Sequence, residues 1–289
     1  MMKNYLICLG AALLCACSSK SQQINFREVF ELAPAHKEVS GMIYHHATGK
    51  LWMLQDKGNP SELYVYSTEG KFEKTVTINH QFNTDWEDLS QDTAGNIYVG
   101  DFGNNKNDRE DLKILKFNTP SLDINSLNTI QETSFYYEDQ KAFPPKKKEL
   151  LYDCEAFIAT KDVFYLFTKN RAKGFDGTFY VYKVPNKQGS FKAEKIATLK
   201  TCGRYKSCAV TGASLNPKGN KIALSTHDKV FIIPFENDDS FIQDKMELLE
   251  LFHNSQKEAI AFKNDRELYL ADENEASTKG GKVYVLDLN

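Results

Sequence analysis

Two pairs of carboxylates stand at matched positions in this chain, each pair two residues apart and just ahead of an apolar run. One pair is Asp85 and Glu87, and the other is Asp153 and Glu155. Side chains two residues apart on a strand share a face, so both members of a pair are expected to point the same way. Carboxylates held this close must be protonated, bridged by Lys or Arg, or occupied by a hard cation such as Ca²⁺. The pattern indicates a calcium site formed by these four residues, or a site for another polar ligand.

The carboxylates belong to a sequence motif, predicted to form a turn, a strand, a turn and a strand, that is repeated five times. A repeat of this size is typical of a solenoid or a propeller. In a propeller, the starts of the first strands and the ends of the second strands meet at one end of the central channel. The first strands start at Ser40, Glu87, Glu155, Thr211 and Glu258, and the second strands end at Asp56, Asp101, Thr168, Thr226 and Asp272. The acids that we predict to bind a ligand at this mouth are Glu38, Asp85, Glu87, Asp101, Asp153, Glu155, Glu258 and Asp272.

Two other roles for these acids stay open. They would act as a structural latch if they accepted backbone N–H bonds from neighbouring sheets, and their recurrence at equivalent positions favours that role. Lys57, Lys169, Arg171 and Lys257 lie close enough in sequence to neutralise some of them. A catalytic role would rest on His227, the histidine at the mouth of the fourth repeat, although hydrogen bonding in the wall would explain it as well. The sequence has no GxSxG, HExxH or Gly-rich phosphate loop, so no catalytic residue is assigned.

The fold prediction rests on counting strands. Each repeat is interpreted as four strands, but the fifth ends at Asn289 without its fourth strand. Alternating apolar residues at 24–32 predict a strand with no neighbour in sequence to pair with. Because exposed sheet edges favour aggregation, we expect this strand to complete the last sheet and close the ring. The prediction is a single all-β domain over 24–289, a five-bladed β-propeller. Six blades are the alternative, if the longest gap between repeats holds a degenerate blade instead of loop insertions such as 121–128.

The first residues have the pattern of a bacterial secretion signal. A basic start at Lys3 and an apolar stretch predict a signal peptide over 1–16. Leu14-Cys15-Ala16-Cys17 resembles a lipobox, in which Cys17 is lipidated, and 17–23 is then a polar tether. The tether has no acidic run, so we expect an outer-membrane anchor that faces the periplasm. An ordinary signal peptide cut nearby, or a short hydrophobic anchor, is the alternative.

Composition and charge limit the remaining possibilities. The formal net charge is −3, which gives no support to a nucleic-acid partner. No apolar run reaches the ~18–20 residues needed to span a bilayer, so the lipid anchor is the expected membrane contact. Cys202 and Cys208 are expected to form a disulfide that closes a short loop, as in proteins of oxidising compartments. Cys154 is expected to be a buried apolar group, and its pairing with one of the other two is the alternative.

The repeats resemble the SdiA-regulated propeller family of bacterial envelope proteins. The likeness is carried by Asp85-Trp-Glu-Asp-Leu, Asp153-Cys-Glu-Ala-Phe and Glu258-Ala-Ile-Ala-Phe, and it covers most of residues 36–288. A looser pattern is shared with esterase-like phytase domains and gluconolactonase-type propellers. The resemblance implies a propeller fold and a calcium-associated or binding protein, without an activity that carries over. The lactonase-type metal ligands are not matched residue by residue.

We therefore expect an envelope-anchored propeller lipoprotein that acts as a binding or scaffolding module. Its expected partner is a small molecule or an envelope protein, its expected state is a monomer, and calcium is the candidate ion. The alternative interpretation is a metal-dependent hydrolase, a phosphoesterase or a lactonase, that uses the acidic mouth and His227. An ion held with an open coordination position would favour the enzyme. Carboxylates bonded only to backbone amides would favour the latch.

Overall fold

The structure, a computed structural model, describes residues 25–118, 121, 123–274 and 279–288. The predicted signal peptide over 1–16, the predicted lipidation site Cys17 and the tether 17–23 lie outside the described residues. Within the ranges that are described, no helix is long and apolar enough to cross a membrane.

Strands follow one another in groups of antiparallel neighbours. After β1 (Asn25–Glu31), the first group is β2 (Val39–His45), β3 (Lys50–Gln55), β4 (Glu62–Tyr66) and β5 (Phe72–Asn79). The second group is β6 (Trp86–Gln91), β7 (Ile97–Asp101), β8 (Lys113–Phe117) and, after the short β9 (Ser126–Asn128), β10 (Gln131–Tyr137). The third group is β11 (Asp153–Ala159), β12 (Val163–Lys169), β13 (Thr178–Pro185) and β14 (Gly189–Lys200).

A short helix, α1 (Tyr205–Cys208), leads to the fourth group. That group is β15 (Gly212–Leu215), β16 (Lys221–Ser225), β17 (Lys229–Pro234) and β18 (Glu247–Glu250), with 3₁₀ turns at Asp238–Ser240 and Gln243–Lys245. The last group is β19 (Lys257–Asn264), β20 (Glu267–Asp272) and β21 (Lys282–Asp287). Hairpin turns at Gly95 (φ 81°) and Gly219 (φ 68°) adopt the left-handed conformation that glycine takes at little cost.

Strand β1 pairs with the far end of the chain. It is antiparallel to β21, with Asn25 opposite Asp287 and Glu31 opposite Lys282. The resulting sheet has the strand order β1-β21-β20-β19. This is the partner expected for the segment 24–32 from the sequence, because the last repeat lacks a fourth strand of its own.

The innermost strands contact one another in a circle. β2 contacts β6 and β19, β11 contacts β6 and β15, and β15 contacts β19. Every residue of β11 is buried, and after the carboxylates of Asp153 and Glu155 at its start the strand is continuously apolar or small, as expected where both faces are covered. The strands also approach closely, since a Cβ atom at Gly41 would lie 2.6 Å from the backbone nitrogen of Leu89. The starts of these five strands are thereby gathered around one point.

Apolar side chains fill the spaces between neighbouring sheets. Trp52 of the first group and Trp86 of the second are both completely buried and belong to the same cluster. Met42 and Val283 likewise belong to a cluster between the first and last groups. Each large side chain buried in this way contributes roughly 1.5–3 kcal/mol. These clusters hold the inner strands in register and fix the positions of the side chains at their ends.

The outer strands join some of the groups. β10 and β14 pair in parallel from Thr133 opposite Gly189 to Tyr137 opposite Ala193, so the second and third groups form one eight-stranded sheet. Its end strands, β6 and β11, contact each other, and the sheet is nearly closed on itself. β9 pairs in parallel with β5. The interpretation of 121–128 as a plain loop insertion is therefore wrong for Ser126–Asn128, which form a strand at the edge of β5.

The cysteines of the folded part have distinct environments. Cys202 and Cys208 are joined by a disulfide around α1, with Cα atoms 5.4 Å apart. Cys154 is a free thiol with no exposed surface, and burial raises its pKa well above the usual value. A thiol that is buried and protonated is a packing group instead of a nucleophile.

Candidate functional site

The starts of the inner strands surround a cavity of about 280 Å³. Its lining includes Ser40, Glu87, Glu155 and Glu258, together with Asp56, Lys169, Arg171 and His227. Four of the five matched positions in the repeats therefore reach one cavity. The two walls that carry most of its charge differ, and they are described in turn.

A β-bulge positions each of these four residues. Strand pairing skips from Trp86 to Asp88 across Glu87, and it skips Ser40, Glu155 and Glu258 in the same way in their own groups. A bulged residue leaves the ladder, so its side chain is turned away from the regular alternation. The bulges aim the matched side chains into the cavity, and the sequence pattern gave no sign of them.

On the wall formed by the third group, the carboxylates are paired with cations. The Arg171 guanidinium donates to Asp153 Oδ2 at 2.5 Å and to Glu155 Oε1 at 2.6 Å. Lys169 Nζ donates to Glu155 Oε2 at 3.1 Å and lies 3.6 Å from Glu258 Oε2. Burial would raise the pKa of Glu155, but Lys169 and Arg171 outweigh it and hold that pKa at about 2. Asp153 and Glu155, two of the predicted calcium ligands, already have protein partners.

On the wall formed by the first and second groups, the carboxylates are less well matched. One oxygen each from Asp56, Asp85 and Glu87 lies within 4.8 Å of the others. Lys57 Nζ donates to Asp85 Oδ1 at 2.9 Å and lies 4.0 Å from Asp56 Oδ2. The backbone of Gly103 closes the site from behind, since a Cβ atom there would lie 2.1 Å from Glu87 Oε1. We name Asp56, Asp85 and Glu87 the acidic triad.

Glu87 is the least compensated member of the acidic triad. Glu87 is only 6 % exposed. No residue described in the structure donates a hydrogen bond to its carboxylate or forms an ion pair with it. Burial, followed by repulsion from Glu155 and Asp56, raises its pKa well above the ordinary value. Burial likewise raises the pKa of Asp56 to about 7, with Lys57 opposing the shift. Without a bound cation, this wall holds protons at neutral pH.

His227 is tied on both sides. Its Nδ1 lies 2.9 Å from the carbonyl oxygen of Lys206, and its Nε2 lies 3.0 Å from Glu258 Oε1. The carbonyl can only accept, so Nδ1 carries a hydrogen and Nε2 faces the Glu258 carboxylate. Both ring nitrogens thus have protein partners, as expected of a hydrogen-bonded wall residue.

Backbone hydrogen bonds to acids join neighbouring groups, and one of the predicted acids forms such a bond. Asp153 accepts from the backbone N–H of Asn104, in the second group, at 2.7 Å. Asp88 is completely buried and accepts hydrogen bonds from the backbone N–H groups of Leu89, at 2.8 Å, and Phe157, at 3.1 Å, with a further backbone bond from Ala213. The latch geometry is therefore present at Asp153, whereas Glu87 has no such bond among the described residues.

Hydroxyl groups add further bonds between the groups. Ser40 donates to the carbonyl oxygen of Trp86 at 3.0 Å. The remaining bonds of this kind join Ser90 to Ala159, Thr211 to Lys257 and Ser214 to Phe262.

Sequence reasoning missed Asp88, although a signal was present. The residues that follow the matched positions are Gly41, Asp88, Ala156, Gly212 and Ala259. Four of these are glycine or alanine. An aspartate at the equivalent position of the second repeat is therefore an exception, and once buried it needs hydrogen-bond donors. Its carboxylate bridges from β6 to β11 and β15 and occupies space that small residues leave open.

Five predicted ligand residues are not part of the cavity lining: Asp85 and Asp153, which pair with cations beside it, and Glu38, Asp101 and Asp272. Glu38 accepts a hydrogen bond from the Asn59 amide at 2.7 Å. Asp101 is buried and accepts from Arg109 at 3.0 Å, so it serves the fold. Asp272 belongs to a separate cluster in the last group. The structure thus brings together Asp85, Glu87, Asp153, Glu155 and Glu258, and it adds Asp56 to the acidic triad.

Comparison with known proteins places the chain by its fold. No family model matches it, and no curated protein does. Among solved structures it is similar to the PQQ-bound aldose sugar dehydrogenase of Streptomyces coelicolor, with a TM-score of 0.54 and 8 % identity over 92 % of this chain and 98 % of that chain. A gluconolactonase from Xanthomonas campestris gives a TM-score of 0.46 and 9 % identity over 93 % of this chain and 91 % of that chain.

At such low identity the likeness concerns the fold. The aldose sugar dehydrogenase has a propeller-type fold, which agrees with the all-β propeller-type fold expected from the repeats. The resemblance to the SdiA-regulated family receives no support from these comparisons. The chain is therefore placed among propeller-type all-β proteins, with no finer family assigned.

Proposed function

We propose that the chain is a five-bladed β-propeller whose central cavity binds a divalent cation, with Ca²⁺ as the first candidate, through Asp56, Asp85 and Glu87. The blade number is supported by the five antiparallel groups and by the circle of contacts among the innermost strands. Ring closure is supported by the pairing of β1 with β21. The cation then anchors a polar ligand that enters the same cavity.

The buried Glu87 carboxylate carries the proposal. A carboxylate removed from water without a donor is costly, so it must be protonated or bound to a cation. Two further carboxylates stand within 4.8 Å, and oxygen ligands of this kind suit a hard cation such as Ca²⁺. Binding an ion would release the protons that burial places on Asp56 and Glu87, so the affinity is expected to rise with pH.

The ligand is expected to be a small molecule with oxygen donors. A carboxylate or vicinal hydroxyl groups would complete the coordination of the cation, because three protein carboxylates leave positions open on an ion that takes 6–8 oxygens. The opposite wall offers Arg171, whose Nη1 donates to the hydroxyl of Tyr205 at the surface. A cavity of about 280 Å³ limits the part of the ligand that enters to a compact group.

We further propose that the protein works at the cell envelope, held by a lipid on Cys17, as a monomeric binding module. The support is the N-terminal sequence, with its basic start, its apolar stretch and its lipobox-like residues. Cys17→Ser should prevent metabolic labelling with palmitate and release the protein from membranes. Membrane association unchanged by this substitution would contradict the anchor.

The test of the cation site is thermal stability measured against CaCl₂ and against a chelator. An ion that binds the folded state alone stabilises it by about 2.7 kcal/mol at a concentration 100-fold above its Kd. We expect the melting temperature to rise with Ca²⁺ and to fall when the chelator is added. Glu87→Gln should abolish this dependence without lowering the stability of the ion-free protein, because it removes an uncompensated carboxylate.

Glu155→Gln is the matched control, because it makes the same chemical change at the equivalent position of the next repeat. It should lower stability by breaking the pairs with Lys169 and Arg171 but keep the response to Ca²⁺. No melting shift with Ca²⁺, Mg²⁺ or Mn²⁺, or an equal response in the Glu87→Gln variant, would overturn the site.

A further inference from the structure

One position in the repeats departs from an apolar rule. The residue just before each matched position is buried in all five groups, and in four of them it is Val39, Trp86, Cys154 or Val210. In the last group it is Lys257, which has no exposed surface. Packing alone is satisfied by an apolar side chain at this place, and burying an ammonium group is costly. The fold therefore does not explain Lys257.

The amine of Lys257 is surrounded by hydrogen-bond partners. Its Nζ lies 2.6 Å from Ser255 Oγ. The backbone carbonyl oxygens of His227 and His253 lie 3.2 Å and 3.3 Å from the same nitrogen. While the amine is protonated, Ser255 Oγ accepts one of its N–H donors. Loss of one proton leaves a lone pair that can face Ser255 Oγ, because the two carbonyls accept the two N–H donors that remain.

The groups around Lys257 tune its charge. Burial lowers its pKa to about 8, against the opposing effect of Asp272, at 3.9 Å, and of Asp228. The ring nitrogen Nδ1 of His253 lies 2.9 Å from Nζ, and burial lowers the pKa of that imidazole as well. The aromatic ring of Tyr284 lies 5.3 Å from Nζ. A base whose pKa is close to the working pH is the most effective in proton transfer.

Ser255 stands between this amine and open space. It lines a second cavity of about 360 Å³, together with Asp272 and Tyr284. Lys257 lies behind Ser255, away from the cavity lining. The Ser255 hydroxyl donates to Asp272 Oδ1 at 2.6 Å, and the Tyr284 hydroxyl donates to Asp272 Oδ2 at 2.6 Å. The reachable Ser255 hydroxyl thus contacts both a buried amine and a fixed carboxylate.

We propose that Ser255 is a nucleophile and Lys257 its general base, in an acyl-transfer site that accepts carboxylic esters. Ser255 Oγ attacks the ester carbonyl carbon while its proton, turned from Asp272 to the neutral amine, passes to Lys257 Nζ. The carbon–oxygen bond to the alcohol then breaks, and Lys257 returns the proton to the leaving oxygen. A water molecule releases the acyl group from Ser255 by the same two steps. Asp272 is a positioning residue that holds Ser255 and Tyr284 through hydrogen bonds in the resting state, and the site is independent of the acidic triad.

The experiment is labelling with a fluorophosphonate, followed by peptide mapping and by hydrolysis of p-nitrophenyl butyrate. The probe forms an Oγ–phosphorus bond and expels fluoride, and the hydroxyl proton passes to the base. We expect the label on Ser255, at a rate that rises with pH through about 8, the pKa of Lys257. Ser255→Ala should lose both the label and the hydrolysis. Lys257→Met should slow labelling at least about 100-fold, the usual contribution of a general base.

Lys282→Met is the matched control, because Lys282 lines the same cavity but pairs with Glu28 at 2.7 Å instead of Ser255. It should label within about twofold of the unmodified protein, since it supplies no proton transfer. The Lys257→Met variant is expected to fold, as four groups carry apolar residues at this position. Absence of label on Ser255, or labelling of folded Lys257→Met at the original rate, would overturn the proposal.

Discussion

The two charged walls of the central cavity occupy equivalent positions in neighbouring repeats, but their buried carboxylates are compensated in different ways. Asp153 and Glu155 are met by Arg171 and Lys169, with distances between 2.5 and 3.1 Å. Asp85 and Glu87 are met by Lys57 alone, and it reaches only Asp85. The protein's own cations therefore hold the pKa of Glu155 at about 2, although burial and Glu155 raise the pKa of Asp153 to about 8. Glu87, at the equivalent position of the other repeat, is left to protons or to an ion. The difference shows that a matched sequence motif does not fix a matched role.

The largest expected effect tests the neutralised wall. Arg171→Met removes the partner of Asp153, whose side chain has no exposed surface, and of Glu155. Leaving a buried charge without its partner costs about 3–5 kcal/mol, so the free energy of unfolding in a denaturant titration should fall by that amount.

Lys57→Met makes the same change on the other wall and is the natural comparison. Its side chain is 45 % exposed, so its loss should cost no more than about 1 kcal/mol. It should also strengthen Ca²⁺ binding, because a competing positive charge is gone. Equal destabilisation by the two substitutions would remove the distinction between the walls.

A somewhat smaller effect is expected at Asp88, the neighbour of Glu87 that the backbone does satisfy. Asp88→Ala leaves N–H groups of Phe157 and Ala213 without their acceptor and should lower stability by about 3 kcal/mol. Asp88→Asn keeps one oxygen acceptor and should recover part of the loss. Full stability of the Asp88→Ala variant in chemical denaturation would mean that water replaces the carboxylate.

The smallest expected effect is a difference between Asp56 and Glu155 in how their contributions to stability depend on pH. The pKa of Asp56 is raised to about 7 from 3.8, so the folded protein binds more protons and the ion-free protein loses stability as pH rises from about 4 to 7. The pKa of Glu155 is lowered to about 2 from 4.5, so its contribution is present above pH 4.5 and is lost as pH falls toward 2.

Asp56→Asn should therefore reduce the decline above pH 4, to which Glu87 and Asp153 also contribute because their pKa values are raised, and leave the loss at acid pH unchanged. Melting temperatures measured from pH 2 to 8 with a chelator present would check this separation. A decline of unchanged size in the variant would assign it to those other groups.

Much of the fold could be predicted from the sequence, because each repeat shows the residue pattern of β-strands and the residue types that favour turns between them. The missing fourth strand in the last repeat was enough to assign β1 its partner. The short β9 could not be foreseen, because a three-residue strand has too little pattern to separate it from a loop. The parallel pairing of β10 with β14 depends on how two sheets approach each other, which no local pattern encodes.

The location of the candidate site could be predicted from the sequence, but not all of the residues that form it. Matched positions gave Glu87, Glu155 and Glu258, but β-bulges that turn them inward left no mark in the sequence. Which acids find a cation depends on the reach of long side chains such as Arg171, and that is decided only in three dimensions. Asp88 and Lys257, in contrast, were visible as single polar residues in otherwise small or apolar columns.

The pairing of β1 with β21 has a consequence for how the protein is made. Asn25 and Asp287 are bonded across 262 positions of sequence, so β1 leaves the ribosome long before its partner strand β21. Contacts of such long range carry a loop-closure cost and slow folding. Until β21 has been synthesised, β1 is an unsatisfied edge in the nascent chain, open to chaperones or to the same strand of another copy.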